Sequence, residues 1–385
     1  MRIANRIANL PPYVFAEVER RLTALRAEGV DVINLGIGSP DLAPPAWVVD
    51  TLYRAAQDPK KHGYAGYFGL PVLRQAVASY YERRFGVSLD PAREIVILIG
   101  SKEGIFNVAL AFIDSGDVAL IPDPGYPTYA LGVIMAGGEA YPVPLLAKRG
   151  FLPDLNAIPG DVLRRAKLLW LNYPNNPTAA TADLEFLTRA VAFARDHDLL
   201  LCYDNPYCDV LFDGYVAPSI LQVPGAKDVA LEFNSLSKTY NMAGWRVGMA
   251  VGSAQAVEAL GRVKTNIDSG IFAAIQEASA AVLNADQGWL AERNLIYQRR
   301  RDVVLGFLPA VGMRASKPLS TLYVWAAVPQ GETAAGFSLR VLEASGVWLT
   351  PGTAFGAQGE GYVRIALTLP EDRLREAAER LRRIQ

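Results

Sequence analysis

Short apolar runs alternate with segments of helical periodicity through the middle of the chain. The apolar runs predict strands at 95–99, 118–121, 140–143, 168–172, 199–203, 228–234 and 247–251. Apolar residues at helical spacing predict helices at about 72–85 and 184–196, and others that end near 112 and 135. Strands that alternate with helices indicate an α/β fold built on a mostly parallel, doubly wound sheet.

The two ends of the chain follow a different pattern. An amphipathic helix is predicted from Val14 to Leu25, and a short strand begins at Val32. A long helix is predicted at about 288–307, followed by strands near 313, 322–325, 347–350 and 362–367 and a helix from 371. We therefore expect an N-terminal arm with part of a small domain, a large domain, and a small α+β C-terminal domain, at 1–45, 46–287 and 288–385.

The charges are balanced, since 38 basic and 39 acidic residues leave a net charge of -1. This balance argues against nucleic-acid binding, which needs a clustered basic excess. A run of like charge, Arg299 to Arg301, is interpreted as a solvated or interface face of the long helix. No apolar run reaches the roughly 18 residues of a membrane span, and the N-terminus is a poor signal peptide. We expect a cytoplasmic protein with no membrane contact.

Cysteine and histidine are scarce. Cys202 and Cys208 fit neither a disulfide framework nor a metal-binding spacing. With only His62 and His197 present, a histidine-rich metal site is excluded and a Ser-His-Asp hydrolase is not favoured. We therefore expect no metal.

Polar turns follow several of the predicted strands, at 100–104, 123–127, 173–178, 204–207 and 235–238. Because ligands of doubly wound sheets bind beyond the carboxyl ends of the strands, we expect these turns to converge on one pocket. The turn at 100–104 opens a helix without Walker spacing, and its N–H groups and dipole predict an anion site. A dinucleotide fingerprint is not supported at Gly36-Ile-Gly38, because Asp41 stands in place of its third glycine.

Lys238 is the candidate nucleophile, because it lies in a polar turn between two buried strands. Partial desolvation lowers the pKa of an ammonium group and makes the neutral amine accessible near neutral pH. Arg246 adds a fixed cation that disfavours a second charge nearby. Taken by themselves, these residues leave open that Lys238 is an ordinary loop lysine with a solvated head.

A lysine nucleophile, an anion site, an aspartate at a strand end and an aromatic residue in a Pro-Gly turn together suggest pyridoxal 5'-phosphate. This cofactor needs a lysine for its aldehyde, a carboxylate for its ring nitrogen, and N–H groups and cations for its phosphate. As residues alone, Tyr126 and Tyr207 could be core tyrosines and Asp204 a turn residue. Arg364 differs, because a guanidinium inside an apolar strand is costly without an anion.

The segment Ser235-x-Ser-Lys238-x7-Arg246-x-Gly248 resembles the signature of class I/II aminotransferases, the fold-type-I pyridoxal-phosphate enzymes. The resemblance covers nearly the whole chain and implies a large domain with a mostly parallel seven-stranded sheet and a smaller α+β domain. It implies catalytic roles for Lys238, Asp204 and Tyr207. Lys238 would form the Schiff base with the cofactor. Phosphate would be bound by Gly100, Ser101, Lys102, Ser235 and Arg246, with Ser237 beside them. The pyridine ring would contact Tyr126, Asp204, Asn176 and Tyr207.

The same resemblance implies how substrate and a second subunit would be bound. Arg364 would clamp the substrate α-carboxylate, with Gly38 and Asn176 beside it. Tyr64 would reach the phosphate of the neighbouring subunit, so that the active enzyme would be a homodimer. Amino acids and 2-oxo acids would be the small-molecule partners.

Three further segments resemble the LL-diaminopimelate aminotransferases and relatives that act on aspartate, alanine or other amino acids: 100–105, 123–129 and 264–272. Two residues depart from the family pattern, since Ala179 replaces a glycine and Tyr67 replaces a glutamate of one diaminopimelate branch. Lys102 and Asn266 are candidates for binding the far end of the substrate. The acceptor is expected to be 2-oxoglutarate.

Three other functions are alternatives to the aminotransferase. A carbon-sulfur lyase would share the fold and the cofactor. A non-catalytic aminotransferase-like regulator would need a DNA-binding segment, and no basic helix-turn-helix module is evident in the sequence. A nicotinamide oxidoreductase lacks its dinucleotide fingerprint.

Overall fold

The predicted strands of the central region form one seven-stranded sheet in the order β2-β8-β7-β6-β5-β3-β4. The computed structural model describes residues 1–8, 10 and 14–384. The strands are β1 Ile33–Asn34, β2 Ile95–Leu98, β3 Val118–Asp123, β4 Glu139–Pro144, β5 Ala166–Asn172, β6 Leu200–Asp204, β7 Ala230–Ser235, β8 Gly248–Gly252, β9 Arg314–Ala315, β10 Tyr323–Ala327, β11 Val347–Trp348, β12 Thr350–Pro351 and β13 Tyr362–Ala366.

Helices pack on both faces of this sheet and against the smaller sheets. They are α1 Asn5–Ala8, α2 Val14–Ala27, α3 Ala46–Ala56, α4 Pro71–Phe85, α5 Ser101–Phe112, α6 Thr128–Ala136, α7 Gly160–Leu163, α8 Leu184–Asp196, α9 Ala226–Val229, α10 Leu236–Thr239, α11 Ala254–Thr265, α12 Ala273–Asn284, α13 Gly288–Phe307, α14 Ala334–Ser345 and α15 Glu371–Arg382. Six of the seven strands of the large sheet are almost wholly buried, which is why they read as continuous apolar runs. The edge strand β4 is mostly exposed or half-buried.

Strand direction brings the polar turns to one edge of the large sheet. Strands β3 to β7 pair in parallel, and β8 runs antiparallel to both β7 and β2. It follows that β2 points the same way as β7, so that six strands end at one edge while β8 begins there. The prediction of a mostly parallel seven-stranded sheet is confirmed.

A four-stranded antiparallel sheet, β12-β13-β10-β9, forms the smaller layer with α13, α14 and α15. Its core includes Val324, Phe337, Ile365 and Leu374, which are fully buried or nearly so. A separate parallel pair joins β1 to β11, with Ile33 opposite Val347. The N-terminal segment is thus tied to the C-terminal part of the chain.

Two predicted strand boundaries are wrong. The chain forms the short helix α9 over 226–229, after Gly225 in a left-handed conformation, so that the strand begins at Ala230 and not at Asp228. The apolar run at 347–350 divides between β11, which pairs with β1, and β12, which pairs with β13. A single apolar run carries no sign that its two halves have different partners.

The interpretation of the arginine run as a solvated or interface face is wrong for two of its three members, which are buried within this chain. Arg299 is exposed, but Arg300 and Arg301 are buried. Arg300 makes a bidentate pair with Asp41, at 2.7 and 2.8 Å. Arg301 binds Asp213 at 2.5 Å. Both guanidinium groups are buried because each has a carboxylate partner, which the local sequence does not indicate.

Among the helices described, none is long and apolar enough to cross a membrane.

Candidate active site

A pocket of about 510 Å³ lies at the edge of the large sheet where the polar turns meet. Its wall also includes the N-terminal segment after β1 and two residues of the smaller sheet. The lining residues are Glu19, Ile37, Gly38, Ser39, Ser101, Lys102, Ile105, Tyr126, Asn176, Asp204, Pro206, Tyr207, Ser235, Ser237, Lys238, Ala243, Arg246, Tyr323 and Arg364. Turns from five separate parts of the chain therefore open into one space.

Lys238 projects into this pocket from the one-turn helix α10, directly after β7. Its Nζ donates a hydrogen bond to the carbonyl oxygen of Gly38 at 2.6 Å. Burial lowers the pKa of the Lys238 ammonium, and the charges of Arg364 and Arg246 lower it further, while Tyr323 opposes them. The Lys238 ammonium therefore loses its proton more readily than a lysine in water.

Asp204 ends β6 beneath the pocket. Its Oδ2 accepts a hydrogen bond from the Tyr129 hydroxyl at 2.6 Å, and the Tyr129 ring stacks on Trp170 at 4.7 Å. Its Oδ1 is buried and lacks a hydrogen-bond partner among residues 1–8, 10 and 14–384. Burial raises the pKa of Asp204 to about 7. One oxygen is therefore fixed and the other is left for a donor from the pocket.

Two glycines bring the start of α5 close to Arg246. A Cβ at Gly100, where φ is 73°, would lie 2.2 Å from Arg246 Nη2. A Cβ at Gly248 would lie 2.5 Å from the backbone nitrogen of Ser101. The Arg246 Nη2 also donates to the Ile99 carbonyl at 3.4 Å. A helix N-terminus beside a guanidinium is a favourable anion site.

Two serines continue the same wall. Ser235 caps α10, since its Oγ accepts from the backbone N–H of Ser237 at 3.1 Å and donates to the Val247 carbonyl at 3.3 Å. Both serines are buried and line the pocket. Their hydroxyl groups lie on the same side as the start of α5 because β7 and β2 point the same way.

Arg364 lies at the opposite side, in the middle of β13. Its Nη1 donates to Asn176 Oδ1 at 2.8 Å and its Nη2 donates to the Gly36 carbonyl at 2.6 Å. The guanidinium carbon lies 4.2 Å from the centre of the Tyr323 ring and 4.6 Å from that of Phe355. Neutral oxygens and aromatic faces thus hold a buried cation in a fixed orientation.

Tyr207 also lines the pocket, beside Tyr323. Its hydroxyl is 2.9 Å from that of Tyr323, and burial raises its pKa well above the usual value. A Cβ at Gly38 would lie 1.9 Å from the Tyr323 hydroxyl, so that glycine is required there. Gly38 was expected to offer its N–H to a substrate, and in the structure its carbonyl accepts from Lys238.

Several predicted residues lie away from the pocket wall. Tyr64 is 91% exposed on the surface, and Tyr67 is about half exposed. Asn266 is exposed and donates to the Arg262 carbonyl at 2.8 Å. Gly100 does not line the pocket but packs closely against the guanidinium of Arg246. Tyr64, Tyr67 and Asn266 therefore do not face the described pocket of this chain.

Sequence reasoning missed three residues that shape the site: Glu19, Tyr129 and Tyr323. Tyr129 could have been found, because it lies only three residues after Tyr126 at the start of α6, and the two rings are 5.7 Å apart. Tyr323 gives no signal, since it reads as an ordinary aromatic residue of an apolar strand. Glu19 reads as the polar face of an amphipathic helix.

Ala179 occupies a backbone conformation that favours glycine. Its φ is 58°, and its N–H donates to the Asn175 carbonyl at 2.9 Å. The left-handed region costs a non-glycine residue roughly 1–2 kcal/mol. The departure noted in the sequence is thus accommodated with some strain and without loss of this turn.

Comparison with known proteins identifies the family to which this chain belongs. The family model "Aminotransferase class I and II" matches residues 30–381, so the chain belongs to that family. Members of this family are pyridoxal-phosphate-dependent transaminases, and the chain is one of these enzymes.

Individual relatives extend the likeness over the full length. The LL-diaminopimelate aminotransferase of Moorella thermoacetica is 54% identical, over 100% of this chain and 98% of the relative. That of Desulforudis audaxviator is 53% identical, over 98% and 97%. The solved structure of substrate-bound BacF from Bacillus subtilis has a TM-score of 0.96 and 36% identity, with 100% and 98% covered.

Proposed function

We propose that this aminotransferase moves an amino group from LL-diaminopimelate to 2-oxoglutarate. The observation that carries the proposal is a single pocket that contains Lys238, the buried carboxyl of Asp204 and the guanidinium of Arg364. The donor is suggested by the two full-length relatives named LL-diaminopimelate aminotransferase. Any such donor carries an α-carboxylate, which Arg364 can bind through two parallel hydrogen bonds.

The residues present fit pyridoxal 5'-phosphate. The unpaired Oδ1 of Asp204 suits the N–H of a protonated pyridine ring. The start of α5, the Ser235 and Ser237 hydroxyls and Arg246 suit a phosphate. When bound, this cofactor supplies an aldehyde for the lysine amine and a ring that accepts electrons.

In the proposed mechanism, each residue of the chain holds or moves a proton or orients the substrate. Lys238 removes the proton from the substrate Cα, because its lowered pKa makes the neutral amine available as a general base. Asp204 would hold a proton at the pyridine nitrogen through its unpaired Oδ1. Tyr207, whose hydroxyl contacts that of Tyr323, would donate a hydrogen bond to the phenolic oxygen carried by the pyridine ring. Asn176 would orient both Arg364 and that oxygen.

We propose a homodimer as the active form. Large apolar side chains are exposed on α3, on the loop before α4 and on the segment before α12, namely Trp47, Tyr53, Tyr64, Tyr67 and Phe272. These elements are neighbours, because α3 packs on α12 and the His62 and Phe272 rings lie 5.3 Å apart. A second copy on this face would cover them and could receive Tyr64 at its own phosphate site.

The domain boundaries at 45/46 and 287/288 and the cytoplasmic location stay predictions.

The central test is the variant Lys238→Ala. We expect it to bind the cofactor without the visible absorbance of a lysine-bound form and to lose turnover by a factor of about 10³ or more, as removal of an essential nucleophile and base does. Single-turnover conversion of the bound cofactor across LL-diaminopimelate, aspartate, alanine, glutamate and aromatic amino acids then ranks the donors. Transamination retained by Lys238→Ala would contradict the mechanism, and a poor rank for LL-diaminopimelate would contradict the donor.

A further inference from the structure

Glu19 is an acidic residue in the wall of the active-site pocket. It lies on α2 and, with residues 37–39, forms the side of the pocket contributed by the N-terminal segment. Helix α2 is anchored by Leu22, which is fully buried against Leu342 and Trp348. The same helix therefore packs on the C-terminal part of the chain and presents a carboxylate to the pocket.

The two carboxylate oxygens of Glu19 have different surroundings. Oε1 accepts from Arg26 Nη1 at 3.2 Å, in an ion pair whose side chains are 47% and 42% exposed. Such an exposed pair contributes little to stability. Oε2 is buried, and no hydrogen-bond donor reaches it from the described part of the chain. A buried carboxylate oxygen without a donor is unfavourable unless a ligand supplies one.

The charges of the pocket indicate the chemistry of that ligand. Lys238 and Arg364 account for the α-amino and α-carboxylate groups of any amino-acid donor. Beyond them, the wall also carries a carboxylate at Glu19 and a cation at Lys102. A donor whose far end bears both an ammonium and a carboxylate would complement both charges, whereas a donor with an apolar or purely acidic side chain would leave Oε2 without a partner.

We propose that Glu19 is a specificity-determining residue that binds the distal ammonium group of a diamino dicarboxylic donor. This inference rests on the proposed function and names the residue that selects LL-diaminopimelate within it. An ammonium group donates a charge-assisted hydrogen bond to a carboxylate, and burial of Oε2 strengthens that bond relative to water. The other oxygen, Oε1, is held only by the exposed ion pair with Arg26.

The test compares LL-diaminopimelate with L-2-aminopimelate, which has the same carbon chain and both carboxylates but lacks the distal amine. The quantity measured is the ratio of the two kcat/KM values, in the dimeric holoenzyme. In Glu19→Gln, which keeps the shape of the side chain, we expect this ratio to fall about tenfold or more. In single-turnover experiments, the dissociation constant of LL-diaminopimelate should rise more than the rate of the first turnover falls.

Arg26→Gln is the matched control, because it breaks the exposed ion pair and keeps the carboxylate. Its ratio should stay within about twofold of the wild type. An unchanged ratio in Glu19→Gln, or an equal fall in Arg26→Gln, would overturn the assignment while LL-diaminopimelate remained a donor of the wild type. A wild type that uses other donors and rejects LL-diaminopimelate overturns the donor and the Glu19 assignment together. Absence of turnover with every donor overturns the proposed function itself, and the assignment with it.

Discussion

The two oxygens of Asp204 show how one buried residue combines structure and chemistry. Tyr129 fixes Oδ2, and Asn172 Nδ2 donates to the backbone carbonyl of Asp204 at 2.7 Å. Burial raises the pKa of Asp204 to about 7, because Oδ1 has no donor from the described residues. The carboxyl group is therefore unfavourable as an anion until a positively charged group lies against it.

This arrangement predicts a pH-dependent cost in the cofactor-free protein. A carboxyl whose pKa is about 7 when folded and 3.8 when unfolded keeps a proton in the native state that the unfolded chain releases. Stability should thus fall as pH rises from about 4 to about 7 and stay level above that. Asp204→Asn removes this dependence. The free energy of unfolding of the variant minus that of the wild type should therefore be about 2–4 kcal/mol larger at pH 8 than at pH 5. Activity should be lost.

Urea unfolding of both cofactor-free proteins at one protein concentration measures this difference. Glu232 is also buried, with its pKa raised to about 7, and contributes a similar dependence. Because Glu232 is present in both proteins, the subtraction removes its contribution. A difference between the two proteins that is the same at pH 5 and pH 8 would show that Asp204 is ionised in the folded state throughout.

At the scale of elements, the turn before α5 is held by a buried ion-pair network. Glu103 Oε2 accepts from the backbone N–H of Ile99 at 2.5 Å. Its Oε1 lies 3.3 Å from the Nζ of Lys264, which is 1% exposed and also binds both oxygens of Asp268 at 2.6 and 2.7 Å. Helices α5 and α11 are thus joined directly beside the Gly100 turn.

Glu103→Gln should therefore weaken cofactor binding. The amide keeps at most one of the two acceptor roles and places an uncharged group against Lys264. We expect the dissociation constant of pyridoxal 5'-phosphate to rise about tenfold, the effect of losing a charge-assisted hydrogen bond. Absorbance titration of the cofactor-free protein measures it. Glu258→Gln is the control, because Glu258 pairs with Arg262 on the exposed face of α11 and should change the constant little. Equal effects would mean that the turn does not depend on Glu103.

The same scale shows how much the sequence could predict. The strands and long helices of the large sheet were found because each carries its own apolar period, and α13 begins and ends at the predicted residues. The polar turns were predicted to converge because they follow strands, and they do line one pocket. The partners of buried charges were not, since Arg300 and Asp41 are 259 positions apart and meet through the fold alone. For the same reason Glu19 gave no sign that it would reach the pocket.

Across the whole molecule, one helix connects the lysine turn to both sheets. From α13, Arg293 Nη1 donates to the Lys238 carbonyl at 2.7 Å, while its Nη2 donates to the Asp209 carbonyl at 2.6 Å. Further along, Arg300 donates to the Leu367 carbonyl at 3.1 Å, at the end of the smaller sheet. The position of Lys238 therefore depends on how the two parts of the chain pack on α13.

The exposed aromatic face gives a prediction for the assembled enzyme. Tyr53 is 66% exposed on α3, which is part of the face that we assign to a second copy. A carboxylate there would be desolvated by the partner, at a cost of several kcal/mol, so Tyr53→Glu should shift the dimer towards monomers. Turnover should fall in the same concentration range in which the dimer dissociates, because Tyr64 would no longer reach the neighbouring phosphate site.

Sedimentation equilibrium and activity measured over the same dilution series decide between two roles for this face. Leu184→Glu is the matched control: Leu184 is 44% exposed in the first turn of α8, where a carboxylate suits the helix dipole. It should change neither mass nor turnover. A Tyr53→Glu protein that stays dimeric and active would mean that this face is not the interface. A monomeric wild type with full turnover would remove the partner's Tyr64 from the site, and each pocket would then have to bind phosphate with the residues of its own chain.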